Sequence, residues 1–338
     1  MFKTKLSIAI ALVAALLLAP AAYAAEGTTT GSFGASGLPP TVDAIGIYTD
    51  IGCTLPATDM NPQTEYYCKV TVGSINKLKH LSTVKVTLFY DSGGDPVAPI
   101  IPDTQTCAIL TCTVDPLAWA MLPTGGSTTW SIDSGDCSQP ADLNATTGDW
   151  IFAFTPGKVA TESIAPAYWD AQGLATNKTA QTGELYDRDT AMNWFGEITV
   201  NTASVNWGAV PLGLVFENAT YNPETGIDVN YIANGDYEED IKSTDWVGAV
   251  SLDTVTLDVT GGNPPAADSQ FALEANDTSD NVTAITATNT YNAIDNTGLI
   301  TAEAGDTVNT NTLWLSLSAA GIVPDTYSGS IYYQIANR

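Results

Sequence analysis

Five cysteines are the residues of this 338-residue chain best suited to covalent chemistry, and all lie in its first half: Cys53, Cys68, Cys107, Cys112 and Cys137. In an oxidising compartment they are disulfide candidates. Five choices of an odd cysteine, each with three pairings of the rest, leave about fifteen arrangements that spacing does not separate. Cys53 with Cys68 is the favoured pair, closing a loop of about 15 steps and contributing about 3 kcal/mol through the unfolded chain. Cys112 with Cys137 is the rival. Cys107 and Cys112 are an odd number of positions apart, so one straight strand points them to opposite faces. No Cys-x-x-Cys exists and His80 is the only histidine, which argues against zinc.

A single histidine also limits nucleophilic catalysis. His80 sits in Lys77-Leu78-Lys79-His80-Leu81, between two strand patterns, and reads as an incidental surface residue. No Gly-x-Ser-x-Gly elbow, P-loop or Gly-x-Gly-x-x-Gly turn is present. Carboxylates are numerous, but nothing singles out a glycosidase pair. The chain does not read as an enzyme.

Oxygen-rich clusters point to Ca2+ instead. They are Asp91 with Asp95, Asp133 with Asp136, the run Asp236, Glu238, Glu239 and Asp240, and Asn276 with Asp277 and Asp280. Turn-borne carboxylates and carbonyls supply the six to eight oxygens such an ion takes. None of these clusters follows the helical calcium-loop pattern, and each one alone also reads as a solvated turn. Five Asn-x-Ser/Thr sequons, at Asn144, Asn177, Asn218, Asn276 and Asn281, are glycosylation candidates expected on the surface. Of eight tryptophans, Trp150, Trp207, Trp246 and Trp314 fall in strand patterns and read as core. Trp119 and Trp169, less clearly assigned to a core, are the candidates for stacking on a glycan.

Charge and leader place this chemistry outside the cytoplasm. Lys3 and Lys5, the apolar run Leu6 to Leu18 and the small residues of Ala22-Tyr23-Ala24 read as a cleaved signal peptide over 1–24. The apolar run is shorter than the roughly 20 residues of a membrane span. Without Lys3 and Lys5, nine Lys and Arg remain against 37 Asp and Glu, a net charge of −28. Phosphate backbones repel such a chain, so nucleic acid is excluded as a partner. Charged residues are only 14% of the sequence, below the usual quarter, so Thr, Ser, Asn and Gly must form most of the surface.

Residues recurring at every second position dictate the elements. Val84, Val86, Leu88 and Tyr90 alternate, as do Trp150, Phe152 and Phe154, then Tyr327, Gly329, Ile331, Tyr333 and Ile335. Leu313, Leu315 and Leu317 make the last run either one arm of a hairpin or a crossing between sheets. Helical periodicity is almost absent. The expected organisation is a flexible leader (25–40), a first antiparallel β-sandwich (41–189) and a second one (190–338). Five prolines between Pro96 and Pro123 predict an irregular insertion at about 96–126. The polar stretch Gln181 to Asp189 is expected to mark the boundary.

Two stretches resemble a known family. Asn61-Pro62-Gln63-Thr64-Glu65-Tyr66-Tyr67 with Leu81-Ser82-Thr83-Val84-Lys85-Val86-Thr87-Leu88-Phe89-Tyr90-Asp91 is similar to immunoglobulin-like modules of secreted prokaryotic, especially archaeal, surface proteins. Val205-Asn206-Trp207-Gly208-Ala209-Val210-Pro211-Leu212-Gly213 and Pro324-Asp325-Thr326-Tyr327-Ser328-Gly329-Ser330-Ile331 resemble a second such module. The antibody-type cysteine pair is not matched, since the second half has no cysteine. The resemblance implies an all-β chain of two tandem immunoglobulin-like sandwiches, serving as a subunit of a cell-surface filament, sheath or layer, or as an adhesin. Its partners would be copies of itself or other surface proteins. A monomeric carbohydrate-binding or adhesive module is the alternative.

Overall fold

The computed structural model describes residues 32, 37–93, 97–99, 101–123, 129–214, 223–276, 283–285 and 290–338. The expected signal peptide and most of the leader lie outside them. The fold is all-β, with a single 3-10 turn among the described residues, and Leu38–Arg338 form one compact unit. Among the described residues no helix is long and apolar enough to cross a membrane.

Ten strands make a first pair of sheets: β1 (Thr41–Tyr48), β2 (Asp59–Met60), β3 (Tyr66–Gly73), β4 (Leu81–Asp91), β5 (Cys107–Val114), β6 (Leu117–Leu122), β7 (Ser131–Ile132), β8 (Thr147–Thr155), β9 (Tyr168–Asn177) and β10 (Thr182–Met192). One sheet runs β1-β3-β8-β7, the other β2-β10-β9-β4-β5-β6. Alternation decides which side of each strand is dry. Cys68, Val70 and Val72 of β3 and Trp150, Phe152 and Phe154 of β8 meet Val84, Val86 and Leu88 of β4 in one core. Each large side chain withdrawn from water there contributes about 1.5–3 kcal/mol. Leu78 plugs the turn that carries the chain from the first sheet to the second, the crossover expected at Lys77–Leu81.

Two sequence expectations fail here. The stretch 96–126 is not an irregular insertion, because β5 and β6 within it form a hairpin in the second sheet. Pro116 lies in its turn and Pro123 just past its end, so these prolines interrupt no ladder. The polar stretch Gln181–Asp189 is not a linker either. It belongs to β10, which pairs with β9 along its length and tolerates polar residues because much of it faces water.

Eleven further strands follow: β11 (Gly196–Val200), β12 (Pro223–Ala233), β13 (Tyr237–Ser243), β14 (Trp246–Gly248), β15 (Thr254–Leu257), β16 (Gln270–Asn276), β17 (Thr283–Ile285), β18 (Asn292–Gly298), β19 (Asp306–Leu317), β20 (Tyr327–Ser328) and β21 (Ile331–Asn337). One sheet runs β11-β12-β19-β16-β15-β14-β20, with β17 on β16; the other is β18-β13-β21. Between them lies a second core built from Val229, Tyr231, Ile241, Trp246, Phe271 and Leu315. The chain's end is a crossing between sheets, since β19 and β21 sit in different ones. Trp207, whose pattern reads as a strand, lies instead in a segment without a ladder.

Hydrogen bonds weld the two sandwiches. Asn234, fully buried, donates from Nδ2 to the carbonyls of Ala160 (2.8 Å) and Asn193 (2.9 Å) and accepts at Oδ1 from the Phe195 N–H (2.7 Å). The Glu162 N–H donates to the Asn234 carbonyl at 2.9 Å. Gln105 Nε2 donates to the Thr301 carbonyl at 3.0 Å, and Lys158 Nζ meets Glu197 Oε2 at 2.7 Å.

Candidate functional site

The strongest gathering of ligand-type atoms lies on the outer face of the first sheet. Tyr67 pairs with Ala153, and the Asp133 N–H donates to the Ala153 carbonyl at 3.0 Å. That row sets Glu65, two residues before Tyr67 and on the same face, beside the Asp133–Asp136 turn. One oxygen from each of Glu65, Asp133 and Asp136 lies within 4.8 Å of the others. Asp133 Oδ1 accepts from the Gly135 N–H at 2.8 Å, and Tyr67 Oη donates to Glu65 Oε2 at 2.7 Å. The hydrogen bond to Glu65, followed by burial, pushes the Tyr67 phenol up to about 12. Three carboxylates this close repel one another unless a proton or a cation stands between them. Hard-cation chemistry suits this all-oxygen set. Asp133 and Asp136 were legible as a pair; Glu65 was not, because only strand register brings it to them. The expected outcome of a calcium titration is a rise in Tm that Asp133→Asn abolishes. An unchanged melting curve after chelation and re-addition counts against it.

Among the described residues the other acidic clusters do not converge. Asp91 Oδ1 accepts from the Gly93 N–H at 3.1 Å as a turn closure, and Asp95 lies outside the described residues. Asp236, Glu238, Glu239 and Asp240 do not form a turn: three of them lie on β13, whose pleat sends Glu239 into the core and leaves Glu238 and Asp240 on the opposite face. Asp240 Oδ2 accepts from Gln334 Nε2 at 2.9 Å. Asp277 and Asp280 lie outside the described residues, as do Asn218 and Asn281. Asn276 ends β16. Asn144 is exposed, as a sequon requires. Asn177 is buried, with Nδ2 on Gln181 Oε1 (2.9 Å) and Oδ1 accepting from the Thr179 N–H (3.0 Å), which removes it from the surface set. Trp169 is also no glycan platform: it is fully buried, its ring tilted against that of Trp130 at 5.7 Å, with Nε1 donating to the Thr161 carbonyl. Trp119 is half-buried and packs edge-on against Phe152 at 5.1 Å.

All five cysteines are unbridged thiols. Cys68 points into the core between the sheets, whereas Cys53 packs with Tyr67 and Ala153 on the outer face, so the favoured pair is split by a sheet. Cys107 and Cys112 do lie on opposite faces of β5, as their odd spacing requires. Burial pushes Cys112 up to about 12 and Cys107 and Cys137 up to about 11, which makes them poor nucleophiles.

In the second sandwich the segment 201–213 follows an apolar groove of about 1280 Å3 lined by Trp207, Trp246, Phe271, Tyr327, Ile331 and Tyr333. Trp207 lies 5.6 Å from Trp246, which lies 4.8 Å from Phe271. Trp207 Nε1 donates to the Leu313 carbonyl at 3.3 Å, and the Gly213 N–H donates to the Leu317 carbonyl at 2.9 Å. A side chain at Gly329 would stand 2.0 Å from the Trp246 ring, so the ring row depends on glycine there.

No family model matches the sequence, and no curated protein matches it. Solved structures align weakly. The major pilin subunit of Bacillus cereus aligns at 11% identity and TM-score 0.23 over 64% of this chain, which spans 63% of that pilin's length. A C-terminal fragment of the major pilin of Streptococcus agalactiae aligns at 10% identity and TM-score 0.22, covering 86% of this chain and 90% of the fragment. A protein of the chaperone–tip adhesin complex of CFA/I fimbriae aligns at 11% identity and TM-score 0.23, covering 91% and 88%. At these TM-scores the likeness carries no argument, and the functional reading rests on the chain itself.

Proposed function

We propose that this chain is an exported structural subunit of a cell-surface filament, sheath or layer. It works by contact, pairing through strand edges and its acidic surface with copies of itself or with other surface proteins. The observation that supports this most is architectural: four sheets in one hydrogen-bonded unit end in open edge strands, and open edges recruit partners. The leader at 25–40 is a donor-strand candidate for a neighbouring copy. Cations held between carboxylates are a further means of joining acidic neighbours. Electron microscopy of native cell surfaces is the direct test: ordered arrays containing this chain are expected, and bare surfaces overturn the reading. Deleting residues 25–40 is expected to leave folded monomers that no longer assemble.

One observation favours a second reading. Trp207 and Tyr327, half-buried along the groove, offer partly exposed rings of the kind on which a glycan stacks. Binding of the monomeric chain to a glycan array, without arrays on the cell, would favour an adhesive module instead.

A further inference from the structure

Strand β6 is the sheet edge least protected against a partner. It reads Leu117-Ala118-Trp119-Ala120-Met121-Leu122, six apolar residues without a charge, at the end of a six-stranded sheet. Among the described residues it pairs with β5 alone. Trp119 and Met121 turn inward, while Ala118, Ala120 and Leu122 face water and Leu117 is 49% exposed. Native edges are normally guarded by charge, proline or a covering segment. Other edges here conform: β1 carries Asp43, β2 Asp59 and β11 Glu197, while β7 and β20 are two residues long. β21 is uncharged, but its first residues line the groove that segment 201–213 follows.

We propose that β6 docks on β6 of a second copy, antiparallel across a two-fold axis, joining two six-stranded sheets into one. This deepens the assembly reading above and rests on it. The occupant follows from self-complementarity. A two-fold axis at Ala120 keeps each side chain on its own face and sets Ala118 opposite Leu122, Trp119 opposite Met121 and Ala120 opposite its own copy, so every facing pair is apolar. The same register sets Leu117 against Pro123, and proline, lacking an N–H, ends the ladder at both sides. A chain of net charge −26 repels its own copy over most of its surface, and a charge-free edge is where two copies approach without that penalty. An isologous contact closes at two copies, so arrays need a second contact besides this one.

The test uses the full chain in light scattering and analytical ultracentrifugation. Wild type is expected to dimerise. Ala118→Glu combined with Ala120→Glu, both on exposed positions, is expected to weaken the dimer at least about tenfold with an unchanged circular dichroism spectrum. Amides of 117–122 in wild type are expected to gain exchange protection with concentration, a readout that needs no variant. A variant that dimerises like wild type, or amides that exchange alike at all concentrations, overturns the β6 contact. Arrays that persist in the variant overturn the β6 contact and leave the filament reading standing. A β6 dimer in a protein found in no cell-surface array sustains the contact and overturns the filament reading.

Discussion

Asn234→Ala is expected to destabilise the protein by about 3–5 kcal/mol and to split its unfolding into two transitions. The side chain satisfies three backbone groups from two segments: the carbonyl of Ala160, and the carbonyl of Asn193 with the N–H of Phe195. Truncation leaves all three unpartnered where Asn234 itself is fully buried. Each orphaned buried polar group costs about 1–3 kcal/mol, and neighbouring losses overlap rather than add. Ala160 and Asn193 belong to the first sandwich and its exit, Asn234 to the second, so the loss falls on their coupling. Tryptophan fluorescence in guanidinium reads the transitions, and small-angle scattering reads the splaying of the modules. Asn234→Asp is expected to be worse at neutral pH, because a carboxylate oxygen then faces two carbonyls, and to recover as acid protonates it. A loss under about 1 kcal/mol with unchanged scattering would mean that Gln105, Lys158 and Glu162 hold the junction without it.

Why the sequence disclosed the cores and not the junction follows from what periodicity reports. Trp150, Phe152 and Phe154 alternate with less apolar neighbours, and alternation is the direct image of a strand with one dry face. β5 and β6 alternate less clearly, since one is buried on both faces near Cys107 and the other is apolar throughout, and the surrounding prolines suggested a loop. Those prolines stand at the corners. β10 escaped notice because its residues are polar on a strand half in water. Parity placed Cys107 and Cys112 on opposite faces because both sit on one strand; Cys53 sits in a loop, where parity says nothing. Glu65 joins Asp133 and Asp136 only through the pairing of β3 with β8. Asn234 looked like one more surface asparagine in a chain rich in them, and its burial is a property of two modules meeting.

Asn311→Leu is expected to destabilise the second sandwich by about 3–5 kcal/mol, because it strips donors from a buried carboxylate. Glu239 is fully buried, and its two oxygens each accept from Asn311 Nδ2 at 2.8 Å, while the Tyr231 hydroxyl donates to one of them. The cost should come from the stranded charge rather than from lost attraction, and a compensating variant separates the two. Replacing the whole set as Tyr231→Phe, Glu239→Leu and Asn311→Leu is expected to recover most of the loss, since apolar packing often equals or exceeds a buried ionic set. If the triple variant is no more stable than Asn311→Leu, shape at this spot matters more than charge. The same set predicts alkaline lability. Burial first, then the Glu239 charge, pushes the Tyr231 phenol far above its usual value, and burial with Asp306 pushes Tyr237 up to about 12. Both shifts are upward, so the stability they carry is complete below the unfolded value of about 10 and is lost as pH rises toward the folded values. Each phenol should subtract about 1.4 kcal/mol per pH unit above that point. Denaturation between pH 9 and 12 reads the slope, Tyr231→Phe should flatten it, and a level profile would show that these phenols ionise without unfolding.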